Sequence, residues 1–293
     1  MSVRVLDLDG SFVAQRPLMD GLRPEVISLR EWGPRIRMAC SFGRFREFSE
    51  GLPASAPLTL IGSGDFHHVS LALVAAIREP INLIVLDKHP DWVRGVPFLH
   101  CGTWVAHALR LPHVARLFHF GGDLDFDNYY RHAAPVTDIR SGRAVVFPAE
   151  RRYRTGLWRS IPHEPLRAEA SVSSSRERFR ELLAPHAAEL AARPVYVSID
   201  KDVMVQDDAV VNWDSGRLEL SEVEALVRVL VELAGKPVAA DLVGDWSAVN
   251  MSGPLRWFLD QWEHPRLDVQ PERAAEVNSR TNLALAQALG LSN

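Results

Sequence analysis

The chain has 293 residues, 47% hydrophobic and 24% charged, with Lys+Arg 33 against Asp+Glu 37. That length suits a large core in one α/β domain or two smaller ones, and the near-even charge gives no footprint for nucleic acid, so the expected partner is a small molecule. No apolar run is long enough to span a membrane, MSVRVLDLDG lacks a signal peptide's apolar stretch, and Cys40 and Cys101 are too few for a disulfide framework, which predicts a cytoplasmic protein off the membrane with free thiols.

Short aliphatic runs alternate with helical stretches along the chain. LTLIG (58–62) is the first predicted strand, and the glycines of Gly62-Ser63-Gly64-Asp65-Phe66-His67-His68 allow a tight turn into a helix over 69–78. INLIVLD (81–87) is a second strand and runs directly into Asp87-Lys88-His89-Pro90-Asp91. A helix over 101–110, a strand VARLFHFG (114–121) and a strand RAVVFP (143–148) follow. Asp123-Leu-Asp125-Phe-Asp127-Asn128 lacks the glycine and the twelfth acidic residue of a calcium loop and reads as a solvated loop. Residues 149–173, rich in Arg, Ser and Pro, read as a surface excursion.

The second half continues the alternation: helix 174–192, strand VYVSID (195–200) ending in Ser198-Ile199-Asp200-Lys201-Asp202, helix 221–234 starting at Ser221, strand VAADLVGD (238–245), and helix 271–290. Continuous apolar strands alternating with helices predict a three-layer αβα fold around a mainly parallel sheet, with every carboxyl end on one edge, where ligands bind.

Three of those strands end in metal-ligand residue types. An apolar strand has no structural reason to finish in Asp-x-His-x-Asp, and clustered carboxylates repel one another unless a cation neutralises them. Mixed carboxylate and imidazole donors suit Mn, Fe, Zn or a similar ion. Asp87, His89, Asp91, Asp200 and Asp202, with a histidine from the His67/His68 pair, are therefore the candidate ligands.

In this order the motifs resemble the ureohydrolase family of arginase, agmatinase and formimidoylglutamase, whose signatures are Gly-Gly-Asp-His, Asp-Ala-His-x-Asp and Ser-x-Asp-x-Asp. The resemblance covers roughly 58–250. It implies an arginase/deacetylase-type fold in one domain over 1–293, two Mn²⁺ ions per chain (Zn²⁺ or Fe²⁺ being alternatives) bridged by hydroxide, and commonly a homo-oligomer. Carried over by motif, Asp87 and Asp200 bridge the ions, Asp91 and His67 complete one, and His89 and Asp202 complete the other. His67 is preferred to His68 because it needs the smaller displacement, which leaves His68 as a proton-transfer residue or a buried histidine.

The departures from the family fall on substrate handling. His100-Cys101-Gly102-Thr103 stands where agmatinases have His-Gly-Thr, so either His100 or Cys101 takes the acid's place. The family's late Asp-x-x-Glu-x-Asn-Pro reads Asp241-Leu-Val-Gly244-Asp245-Trp246-Ser247 here, with Gly244 where a glutamate contacts the guanidinium and Asp245 as its candidate replacement. Asn212-Trp213 looks like a reshaped pocket loop. The reading is a metal-dependent hydrolase of a linear C–N bond in an amidine, guanidine or amide, with arginine disfavoured as substrate. A single-zinc deacylase and a non-catalytic metal-binding homologue are the alternatives.

Overall fold

In the computed structural model, residues 3–94, 96–122, 134–149, 166, 174–249, 264–265 and 268–291 are described. The acidic stretch 123–128 and nearly all of 149–173 lie outside them. In chain order the main elements are β1 (Val3–Asp7), α1 (Arg16–Leu22), β2 (Glu25–Ser28), α2 (Gly33–Ile36), β3 (Ala39–Cys40), α3 (Phe42–Glu50), β4 (Leu58–Gly62), α4 (Val69–Ala75), β5 (Ile81–Leu86), β6 (Leu99–His100), α5 (Trp104–Ala108) and β7 (Val114–Phe120). They continue with α6 (Val136–Arg140), β8 (Ala144–Phe147), α7 (Ser175–Leu183), α8 (Ala187–Ala191), β9 (Val195–Asp200), α9 (Leu220–Ala234), β10 (Ala239–Val243) and α10 (Pro271–Ala288).

Eight strands form one sheet in the order β2-β1-β4-β10-β9-β5-β7-β8, and every pairing in it is parallel. Parallel strands buried on both faces need apolar side chains in both directions, and β4 and β5 are buried at every position. Leu58, Leu60, Ile84 and Leu86 join a core with residues of α1, α7, α9 and α10, while Ile61, Leu83 and Val85 pack on the other face with residues of α3, α4, α5 and α6. Helices thus cover both faces, as the alternating pattern predicts. No described helix is long and apolar enough to cross a membrane.

The topology brings the three motif strands together, since β4, β10, β9 and β5 are consecutive neighbours. Their register aligns the strand ends: Val243 pairs with Gly62 and with Asp200, and Leu86 pairs with Ile199, which sets Asp87 level with Asp200.

Several boundaries differ from the sequence expectation. The helix expected over 174–192 is broken by a 3-10 turn at Ala184–His186, where Pro185 cannot continue the backbone ladder. The helix expected from 101 starts at Trp104 after a 3-10 turn over Cys101–Thr103. Ser221 is not the start of α9: Glu219 caps it, in a reciprocal box with Glu222. β10 stops at Val243 because Gly244 turns to φ +93°. Cys40 and Cys101 are both buried and neither is in a disulfide.

Candidate metal centre

The turn after β4 starts with Gly62 at φ +128°, and a Cβ there would lie 3.0 Å from the Asp9 carboxylate, so only glycine suits the position. Ser63 caps the following 3-10 turn by accepting from Asp65 N, and the turn delivers His67 to the sheet edge at 1% exposure. His67 Nε2 lies 3.0 Å from Ser198 Oγ on β9, and Ser198 donates to Asp241 Oδ1 at 2.8 Å. Tyr196 OH holds the other Asp241 oxygen at 2.6 Å. A hydroxyl that has given its one proton to a carboxylate can only accept from the ring, so His67 Nε2 carries a proton and Nδ1 is the nitrogen left to face the site. Burial opposes charge on the ring, but Asp87 and Asp91 outweigh it and raise the imidazole well above its usual range, so an ion would take the place of the Nδ1 proton.

Nδ1 faces carboxylates. His67 Nδ1 is 3.1 Å from Asp87 Oδ2, 3.0 Å from Asp91 Oδ2 and 3.4 Å from Asp200 Oδ2. His67 Nδ1 and Asp87 Oδ2 are buried and lack a hydrogen bond of acceptable geometry among the described residues. Lone pairs crowded together in a buried site repel one another, and a cation between them turns the repulsion into ligation.

A second group adjoins the first. His89 Nδ1 lies 2.7 Å from Asp202 Oδ2 and 3.9 Å from Asp87 Oδ1. Asp202 Oδ1 accepts from Lys88 N at 3.0 Å, tying the second motif to the third. His67, Asp87 and Asp91 offer ligand atoms mutually within 4.8 Å, as do Asp87, His89 and Asp202, so Asp87 is common to both groups. Asp200 belongs to neither group at that spacing and approaches the first through His67. The donor set of each group fits a divalent transition ion.

Asp91 adopts φ +50°, a conformation that aspartate tolerates better than most residues. Its Oδ2 accepts from Trp104 Nε1 at 2.9 Å, which fixes the carboxylate. The strand does not continue past Leu86, so the Pro90 turn gathers the second motif's side chains instead of strand alternation.

The electrostatics are those of an unneutralised acidic cluster. Burial, and then Asp91 and Asp202, raise Asp87 well above the usual carboxylate range. Burial and then Asp202 push Asp200 up to about 8. Burial opposes charge on His89, but the Asp202 carboxylate outweighs it and raises the imidazole to about 9.

The ligand candidates Asp87, His89, Asp91, Asp200 and Asp202 surround a small cavity of about 20 Å³, also lined by Gly64, His100, Cys101, Gly102 and Trp213. A space of that size admits a water molecule or an ion. Cys101 Sγ is 3.6 Å from His100 Nδ1, which accepts from Gly102 N at 3.0 Å. Trp213 stacks edge-on against His89 with ring centroids 5.5 Å apart, and its Nε1 donates to Asp65 Oδ1.

Three of the predicted site residues lie elsewhere. His68 is fully buried beside Phe45, is not among the described lining residues, and is held down to about 3, chiefly by burial. Asn212 exchanges two hydrogen bonds with the Ser247 backbone and braces that loop. Asp245 is also absent from the described lining. It is fully buried against Lys201 Nζ at 2.6 Å, because successive residues alternate sides and Gly244 reverses the chain just before it.

Two groupings escaped the sequence reading. Arg37 Nε meets Asp65 Oδ2 at 2.6 Å and His264 Nε2 meets Asp65 Oδ1 at 2.7 Å, joining the first motif to distant segments. Lys201 is wholly buried. It opens the 3-10 turn Lys201–Val203 that follows β9, and its Nζ meets Asp245 instead of the flanking ligand candidates.

No family model matches the chain. A Thermotoga maritima protein, described as uncharacterized, is 28% identical over 268 residues, covering 91% of this chain and 87% of its own. Among solved structures, an arginase from Bacillus subtilis superposes with TM-score 0.59 at 16% identity, covering 100% of this chain and 98% of its own. A formiminoglutamase from Trypanosoma cruzi with Mn²⁺ superposes with TM-score 0.52 at 12% identity, covering 98% and 93%. The fold is therefore the arginase-type three-layer α/β fold of the ureohydrolases.

Proposed function

We propose that the chain is a metal-dependent hydrolase of the ureohydrolase type that cleaves a linear C–N bond at a two-metal centre. The observation that carries this reading is the pair of ligand groups sharing Asp87, one with His67 Nδ1 set among three carboxylates. Sharing one carboxylate between two groups favours two ions over the single-zinc alternative. His67, Asp87 and Asp91 would hold one ion and His89 and Asp202 the other, with Asp200 closing the set. Mn²⁺ is the first choice, by likeness to the Mn²⁺-containing formiminoglutamase. When bound, such a pair lowers the pKa of a shared water and supplies a nucleophile at neutral pH.

The chain's own residues supply the rest. His100 borders the cavity with Nδ1 committed to Gly102 N–H, so the other ring nitrogen carries the proton in the neutral ring and is the candidate donor to a leaving amine. Cys101 and Trp213 line the same cavity beside the ligand candidates. Gly244 supplies no side chain and Asp245 is committed to Lys201. The described lining therefore offers no carboxylate beyond the ligand candidates to grip a guanidinium. The favoured substrate carries an amidine or amide rather than arginine's guanidinium.

The test begins with metal analysis of protein purified without chelator, where close to two transition ions per chain are expected. Protein reloaded with Mn²⁺ is then screened against guanidino compounds, formimino compounds and N-acyl amines for release of urea, ammonia or amine. Metal-dependent release from the latter two classes supports the reading. A protein that takes up no Mn²⁺, Zn²⁺ or Fe²⁺ on reloading overturns it.

A further inference from the structure

Lys201 lies between two ligand candidates yet points away from both. Its Nζ meets Asp245 Oδ2 at 2.6 Å, and Asp245 Oδ1 also accepts from Gln15 Nε2 at 2.6 Å and Asn282 Nδ2 at 3.2 Å. Asn282 donates to Gln15 Oε1 as well, at 3.0 Å. These side chains come from the loop before α1, the 3-10 turn after β9, the turn after β10 and the body of α10, and none is more than 1% exposed.

A buried ion pair is a poor route to stability, because apolar side chains of the same volume do as well or better, and its best-attested use is to fix one arrangement. What it fixes here is visible in the backbone. A Cβ on Gly244 would lie 2.3 Å from Asp200 Oδ1 and 2.8 Å from Lys201 N, so the turn after β10 is pressed directly onto the Asp200 carboxylate. Gly244 N and Asp245 N both donate to Gly62 O, at 2.8 and 3.0 Å, which binds the same turn to the start of the first motif.

We propose that the Lys201–Asp245 pair is a positioning device for the metal centre, clamping the β10 turn against Asp200 so that Asp200 and Asp202 keep the spacing that admits a second ion. The proposal rests on the two-metal reading above. The pair acts through its neighbours and touches neither metal nor substrate. It also explains why the position preceding Asp245 is glycine: the clamp brings the backbone to where a side chain would stand.

The test is the double substitution Lys201→Met with Asp245→Leu, which removes both charges at nearly constant volume. In chelator it should still melt cooperatively, somewhat below the wild-type temperature, because the buried amides of Gln15 and Asn282 each lose an acceptor. Titration with Mn²⁺ should show the second ion bound at least about tenfold more weakly, the scale on which residues supporting metal ligands act. The electron paramagnetic resonance spectrum should change from that of an exchange-coupled pair to that of an isolated ion. Should the double variant not fold, Asp245→Asn, which keeps oxygen and size while breaking the ion pair, is read the same way. Two ions bound with wild-type affinity and a coupled spectrum in either variant overturn the clamp and leave the two-metal reading intact. A wild-type protein that binds no ion overturns both.

Discussion

Asp87→Asn separates the metal role of the cluster from its structural role. Asp87 Oδ1 accepts from His89 N at 2.6 Å, and an asparagine oxygen accepts equally well, so the turn persists. Burial, with Asp91 and Asp202 nearby, raises this carboxyl well above the usual carboxylate range in the metal-free protein and so favours its neutral form, with which asparagine is close to isosteric. The metal-free variant should therefore melt within ~2 °C of wild type, equivalent to under about 1 kcal/mol for a chain of this size. Wild-type protein with Mn²⁺ at a hundred times its dissociation constant gains ~2.7 kcal/mol per site. Two sites give ~5 kcal/mol, or a rise of roughly 10–20 °C in melting temperature. Because Asp87 belongs to both ligand groups, the variant should lose nearly all of that rise, as read by calorimetry with and without Mn²⁺. A variant that keeps the full rise and both ions refutes the shared-ligand reasoning.

Ser198→Ala removes the acceptor that fixes the His67 tautomer, so affinity at that position should fall about 10–100-fold by chelator competition; unchanged affinity would show the serine to be dispensable. Gly244→Glu, which writes the family's glutamate back into the chain, should cost at least ~2 kcal/mol in urea denaturation, because φ is +93° and the new Cβ would meet Asp200 Oδ1 at 2.3 Å; a stable variant that gains guanidine hydrolysis would refute this account of the departure. The metal-free protein should lose stability as pH rises from 5 to 8.5. Asp200 is raised to about 8, chiefly by burial, and an acid with a raised folded pKa binds more protons folded than unfolded, so the folded state loses ground between ~3.9 and about 8. His67 and His89 act in the same sense, as cations whose raised pKa values favour the folded state at low pH. Melts in chelator that stay flat over that range would contradict the charge assignment.

Whether a residue was legible in the sequence depended on how local its cause is. The strands β4, β5 and β9 are apolar runs buried on both faces, and periodicity alone gives them. Asp87, His89, Asp91, Asp200 and Asp202 follow those strands directly, and a parallel sheet must bring strand ends to one edge. β1, α1, β2 and α3 are hard to see in the sequence, because the first 50 residues carry no long apolar run; the edge strand β2 is largely exposed. Asn212, His68 and Asp245 were placed by motif neighbourhood, yet a side chain's direction depends on the turn before it. A 3-10 turn delivers His67 and leaves His68 to start α4, and a left-handed glycine sends Asp245 into the core.

The same turn bears on why the metal centre and the substrate side diverge. The metal-ligand candidates at the ends of β5 and β9 are held by short backbone contacts, Lys88 N to Asp202 between the two motifs and Asp202 N to Asp200 within the second of them. Those contacts tolerate no shift, so the Asp-x-His-x-Asp and Ser-x-Asp-x-Asp spellings match the family residue for residue. The β10 turn carries none of the ligand candidates and only has to pack against Asp200. It is free to exchange a glutamate for a glycine, provided something else holds the turn in place. The Lys201–Asp245 pair meets that requirement from the core side. On the proposed reading, an arginase-type fold can in this way keep its candidate metal ligands while giving up the carboxylate that would select a guanidinium.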